Sequence, residues 1–133
     1  MTDIILCKSI VLKADAETVW AFLTDPDKIG MWFHKPEAAL KLGETYGMRG
    51  KDSGEIFMSG KVLVAEPFTR LEYEFNLAPM GDVGSRVAWE LIELEGGVQL
   101  NLTHTGIPAG DWLFGLDDGW DKHLVQLRAG IAR

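Results

Sequence analysis

This 133-residue chain is poor in cysteine, histidine and positive charge, and it has no apolar run long enough to cross a bilayer. Its one cysteine, Cys7, has no partner for an internal disulfide, which fits a reducing compartment. Thirteen Lys and Arg against twenty Asp and Glu leave a net charge of -7. That balance lacks the basic stripe needed to displace counterions from nucleic acid phosphates, and it weakens adhesion to anionic membranes. Neither nucleic acid nor membrane insertion is expected. The stretch before β-branched Ile10 lacks the basic segment, long apolar run and small-residue cleavage site of a secretory signal, so a cytoplasmic location is expected. The three histidines show no short ligand spacing, and Asp117-Asp118 stands beside a helix start rather than in a calcium loop. No glycine-rich phosphate loop precedes a helix. Neither a metal nor a cofactor is predicted.

What is present reads as one domain spanning residues 1–133, with 47% hydrophobic and 25% charged residues. Ile4 to Leu12 has the β-branched content of a strand. Asp15 is a good N-cap for a short helix carrying Val19, Trp20 and Leu23, and Asp25-Pro26 starts a second that ends near Gly30. Between Pro36 and Gly54 the signals weaken, leaving two short strand candidates, Ala38 to Lys41 and Thr45 to Arg49. A meander follows. Ile56, Met58, Val62 and Val64 share a face; Leu71, Tyr73, Phe75 and Leu77 alternate with Glu72, Glu74 and Asn76; a flexible loop is expected from Pro79 to Gly84. Val87, Trp89 and Leu91 lead through a hairpin at Glu95-Gly96-Gly97 to Val98, Leu100, Leu102 and His104, with a turn over Thr105 to Gly110.

A long helix closes the pattern, its apolar stripe formed by Leu113, Leu116, Trp120, Leu124, Leu127 and Ile131. Gly115 and Gly119 each cost that helix about 1 kcal/mol relative to alanine. Either the helix breaks near Gly115, or bare backbone leaves room there for a sheet residue or a ligand. Together these elements predict an α+β fold in which the helix lies across one face of an antiparallel sheet.

The run from Ala14 to Pro26, then Trp32, Gly60 to Pro67 with Arg70-Leu71, Leu100 to Gly106, and Gly119-Trp120 with Leu124 and Leu127 resembles the START-like helix-grip (SRPBCC) superfamily. Within it, the pattern is similar to the family named after activators of the heat-shock protein 90 ATPase. The resemblance implies a curved sheet of six or seven strands gripping the last helix, with a deep hydrophobic cavity between them. It also implies ligands such as lipids, sterols, plant hormones or polyketides and, in some relatives, cyclisation or dehydration. The chaperone activators carry an additional client domain with no counterpart in this pattern, so chaperone activation is not carried over. Where relatives commonly have paired glycines, Lys41-Leu-Gly43-Glu44 has one.

His104 shares the face of Val98, Leu100 and Leu102, where it can bond a ligand hydroxyl or carbonyl or transfer a proton. Packing under the turn is the plainer alternative. Proton transfer ranks lower, because no carboxylate on that face orients the ring. Trp32, Trp89 and Trp112 are expected at the cavity or its entrance, with Tyr46, Met48, Tyr73 and Leu116 as further ligand contacts, whereas Phe75 and Trp120 are read as core. Arg49 can pair with a ligand carboxylate if it faces inward. His34 and His123 are assigned to the surface.

The reading that results is binding of a small hydrophobic or aromatic ligand, lipid- or polyketide-like, in a cavity of a few hundred Å³. A cyclase-, dehydratase- or hydrolase-like enzyme using His104 is the first alternative. A protein-interaction module, chaperone-linked or homodimeric, is the second, and monomer and homodimer both stay open.

Overall fold

The computed structural model describes residues 4–49, 55–77, 84–108 and 111–132. Strand β1 spans Ile4–Leu12. Helix α1 (Ala16–Thr24) starts where the Asp15 carboxylate accepts the Thr18 N–H at 2.8 Å. The short helix α2 (Pro26–Ile29) starts on Asp25, which accepts the Asp27 N–H at 3.1 Å. The remaining strands are β2 (Thr45–Arg49), β3 (Ile56–Glu66), β4 (Arg70–Glu74), β5 (Asn76–Leu77), β6 (Arg86–Leu94) and β7 (Gly97–Ile107), and helix α3 covers Asp111–Ile131. The seven strands form one curved antiparallel sheet in the order β1-β7-β6-β4-β3-β2, with β5 paired to β3.

Four details depart from the sequence pattern, each for a local reason. Ala38 to Lys41 is not a strand. Its Leu40 N–H is taken by the Thr24 carbonyl at 3.1 Å, and the Leu40 side chain is buried. In β3 the pairing with β4 slips between Val62 and Val64, and the pairing with β2 slips where Met48 faces Met58 and Arg49 faces Ile56, so the expected shared face is broken and Ile56 is 45% exposed. The expected strand Leu71 to Leu77 divides at Phe75, whose N–H goes to the Ser85 carbonyl at 2.9 Å. At this corner the Glu74 carbonyl lies where a side chain on Gly60 would be, 2.2 Å from the Cβ position, and it accepts the Tyr46 hydroxyl at 2.5 Å. Only glycine permits so close an approach. Finally, β7 runs past His104 to Ile107, because β1 pairs with it to that end, Ile5 with Thr105 and Ile4 with Ile107. The rest of the expected turn, residues 109–110, and most of the expected loop, residues 79–83, lie outside the described residues.

Helix α3 is continuous through both glycines and buries Trp120, Leu124 and Leu127 against the sheet. On its β1 side, Lys8 reaches Asp117 and, at 2.9 Å, Asp121, while Arg128 donates to the Val11 carbonyl at 3.2 Å. The core between helix and sheet is rich in rings: Trp32 meets Trp89 edge-on at 5.9 Å, and Trp89 meets Trp120 at 5.6 Å. Among the described residues no helix is long and apolar enough to cross a membrane, and no three His, Cys, Asp or Glu side chains cluster in a way that could hold a metal.

Candidate functional site

Gly115, Leu116, Gly119, Trp120 and His123 recur three and four residues apart, so they share one side of α3. Facing them are Met58 of β3, Phe75 at the β4–β5 break, Leu77 of β5, and Phe33 and His34 from the segment after α2. Together they enclose a cavity of about 130 Å³ that opens to the surface. The glycines make it. A Cβ built on Gly115 or Gly119 meets nothing within 4 Å, so the space that alanine methyls would fill is left empty.

The walls are mainly aromatic, and no Asp, Glu, Lys or Arg is among the residues lining them. Phe33 stacks on Trp120 with ring centres 5.5 Å apart and an 18° interplanar angle. His123 and His34 approach Phe33 edge-on at 4.6 and 5.2 Å. His123 Nδ1 lies 3.0 Å from the Trp32 carbonyl, and because a carbonyl only accepts, this nitrogen carries the proton.

His104 lies just behind this cavity. It is fully buried, and its Nδ1 accepts the Trp120 Nε1–H at 3.1 Å. Burial disfavours the charged ring and pushes its pKa down to about 4, so the imidazole is neutral at pH 7. A neutral imidazole that accepts at Nδ1 must hold its proton at Nε2, and Nε2 has no hydrogen-bond partner among the described residues. The ring also touches Phe75, at 4.7 Å between centres. Phe75 and Trp120 thus each face the cavity on one side and His104 on the other.

Of the residues singled out from sequence, Leu116 lines the cavity. Trp32, Tyr46, Met48, Tyr73, Trp89 and His104 are buried but do not line it. Their polar atoms are largely spent on the fold: Trp32 Nε1 donates to the Phe22 carbonyl at 2.7 Å, and Trp89 Nε1 to the Tyr73 hydroxyl at 3.0 Å. Burial raises the Tyr46 and Tyr73 pKa values above the usual phenol range, so both stay protonated. Trp112 stands 38% exposed on α3 and does not line the cavity. Arg49 faces the surface, where it pairs with Glu37 at 2.6 Å.

His34 and His123, read as surface residues, are half-buried and line the cavity, while Phe75 and Trp120, read as core, are buried in the core and also border it. His123 had a visible cue, since it stands four residues after Gly119, as Gly119 does after Gly115. Phe33, Met58 and Leu77 carried no comparable signal; they meet only because α2 and the β3–β5 corner fold toward the same stretch of helix.

Comparison with curated protein sequences returns no significant match. Among solved structures, the chain is similar to protein MLL2253 from Mesorhizobium loti, with 23% identity, 97% of each chain covered and a TM-score of 0.86. It is also similar to CalU16 from Micromonospora echinospora, with 27% identity over 97% of this chain and 75% of that one, TM-score 0.78. A third is the Aha1 dimer from Colwellia psychrerythraea, at 19% identity, 96% of each chain and TM-score 0.82. The family model described as activator of Hsp90 ATPase homolog 1-like protein matches residues 13–132. The grip of a curved antiparallel sheet on α3, together with that match over nearly the whole chain, places this protein in the Hsp90 ATPase activator homolog 1-like family of the START-like superfamily.

Proposed function

We propose that the protein binds an uncharged small molecule by inserting one aromatic or compact apolar group between α3 and the β3–β5 corner. The observation that carries this reading is the gap at Gly115 and Gly119, kept open at a cost in helix propensity and walled by Phe33, Phe75 and Trp120. Its 130 Å³ is less than the few hundred Å³ anticipated from sequence, and close to the roughly 150 Å³ of an engineered apolar cavity that accepts benzene. The inserted group is therefore the size of one six-membered ring, and the remainder of a lipid- or polyketide-like molecule would extend outward past His34 and His123. Binding without covalent change is favoured over an enzyme. His104 sits behind the wall with Nδ1 committed to Trp120, an arrangement suited to donating one hydrogen bond rather than to relaying protons.

A thermal-shift series of single-ring aromatics, with native mass spectrometry of the hits, tests the proposal. One-ring neutral compounds are expected to raise Tm by mass action and their carboxylated counterparts to do so less. A flat response across the neutral ring compounds would sink it.

A homodimer through β1 is a second reading. β1 is an edge strand with Ile5 61% and Val11 56% exposed, whereas the opposite edge, β2, is short and register-shifted and is bridged by Pro36. Sedimentation at the mass of one chain at all accessible concentrations would exclude it.

A further inference from the structure

We infer that the ligand of this cavity carries a hydrogen-bond acceptor oxygen beside its ring, and that His104 Nε2–H is the donor that reads it once the Phe75 side chain gives way. The inference rests on the cavity proposed above and adds the polarity of recognition. Its basis is directional. Trp120 Nε1–H can only donate, so it fixes His104 Nδ1 as acceptor and leaves Nε2 as a donor. A buried N–H with no partner destabilises the fold, and native structures seldom keep one without a use. The complementary atom is therefore a carbonyl or ether oxygen, and a group that only donates finds nothing at this nitrogen.

The route between cavity and donor is short. Phe75 touches His104 at 4.7 Å and Trp120 at 5.8 Å, and it is also a cavity wall. It lies at the break between β4 and β5, where its N–H bonds the Ser85 carbonyl at 2.9 Å and its carbonyl accepts the Ser85 hydroxyl, so opening the route means turning a buried ring on a fixed backbone. The 65° tilt of the Phe75 ring against the imidazole offers at most a weak contact with its π-face or edge. Exchanging that contact for a carbonyl oxygen gains a full hydrogen bond. No Lys or Arg side chain lines the cavity to pair with an anion, so a neutral ketone or ester suits the site better than a carboxylate.

Acetophenone and ethylbenzene are close in size and differ in the carbonyl. Isothermal titration calorimetry of wild type is expected to give acetophenone about tenfold the affinity of ethylbenzene, the discrimination one neutral hydrogen bond supplies. In His104→Phe the preference is expected to vanish while ethylbenzene still binds, which separates His104 from His34 and His123 as the source. Because that variant can lose stability, ¹⁵N-edited NMR of wild type gives an independent reading. It should show the His104 proton on Nε2 in the free protein and a displaced Nε2 resonance only with acetophenone. Equal affinities in wild type, or a preference that survives in His104→Phe, would overturn the inference while leaving the cavity proposal standing. Failure of both compounds to bind would overturn the two together.

Discussion

At the scale of single residues, the burial of His104 among apolar neighbours couples the stability of the fold to pH. Alternation along β7 puts it on the inner face with Val98, Leu100 and Leu102, and all four are buried. Its partner was not readable, because Trp120 lies on another element and its contact depends on how α3 is rotated over the sheet. That contact has a measurable consequence. The folded pKa, about 4, lies below the ordinary 6.5, because burial disfavours the charged ring. The unfolded chain therefore binds the proton more readily. The contribution to stability is full above about pH 6.5 and is lost as the pH falls toward 4, with a size of about 3 kcal/mol. Urea unfolding of wild type and His104→Leu across this window should show the wild-type curve falling more steeply, carboxylate contributions being common to both. Parallel curves would mean that the ring is not held neutral.

At the scale of elements, α3 shows how a local defect in a sequence reports on its surroundings. Its apolar stripe was legible, and so was the anomaly of two glycines four residues apart. What could not be read was which of two outcomes applied, a broken helix or an open space, since that is decided by β3 and β5, distant in sequence. The helix is unbroken and the space is open. Gly115→Ala and Gly119→Ala should therefore each raise stability by about 1 kcal/mol, with Tm rising accordingly. The added methyls would occupy the cavity, so the same variants should lose the thermal shift given by one-ring ligands. Increased stability with undiminished ligand response would place the binding site elsewhere. The β3–β5 corner is the opposite case. Gly60 reads in sequence only as an interruption of a strand, and its reason, the Glu74 backbone at 2.2 Å from a would-be Cβ, belongs to the pairing of β3 with the strands beside it.

At the scale of the whole molecule, α3 is held unequally on its two sides. Toward β1 it is fastened by the Lys8 ammonium between Asp117 and Asp121 and by Arg128 on the Val11 carbonyl; toward the β3–β5 corner it leaves the cavity. The hydrogen bonds to Asp117 and Asp121 raise the Lys8 pKa above 10.5, so the stability they confer is present through neutral pH and is lost only as the pH rises beyond that value. The Lys8 side chain is 17% exposed, but the two aspartates are 48% and 60% exposed, and solvent screens much of the attraction. Replacing the ammonium by an apolar side chain of similar length, Lys8→Met, should cost about 1 kcal/mol or less at low ionic strength. The deficit should shrink as salt is added, because the attraction that the substitution removes is itself screened in wild type. Since Lys8 lies on the side of α3 away from the cavity, the thermal shift produced by a one-ring ligand should be the same in Lys8→Met as in wild type. A variant whose deficit is independent of salt would show that Lys8 acts through packing of its aliphatic stem. A variant that also loses the ligand response would show that the fastening at β1 sets the width of the gap at Gly115 and Gly119.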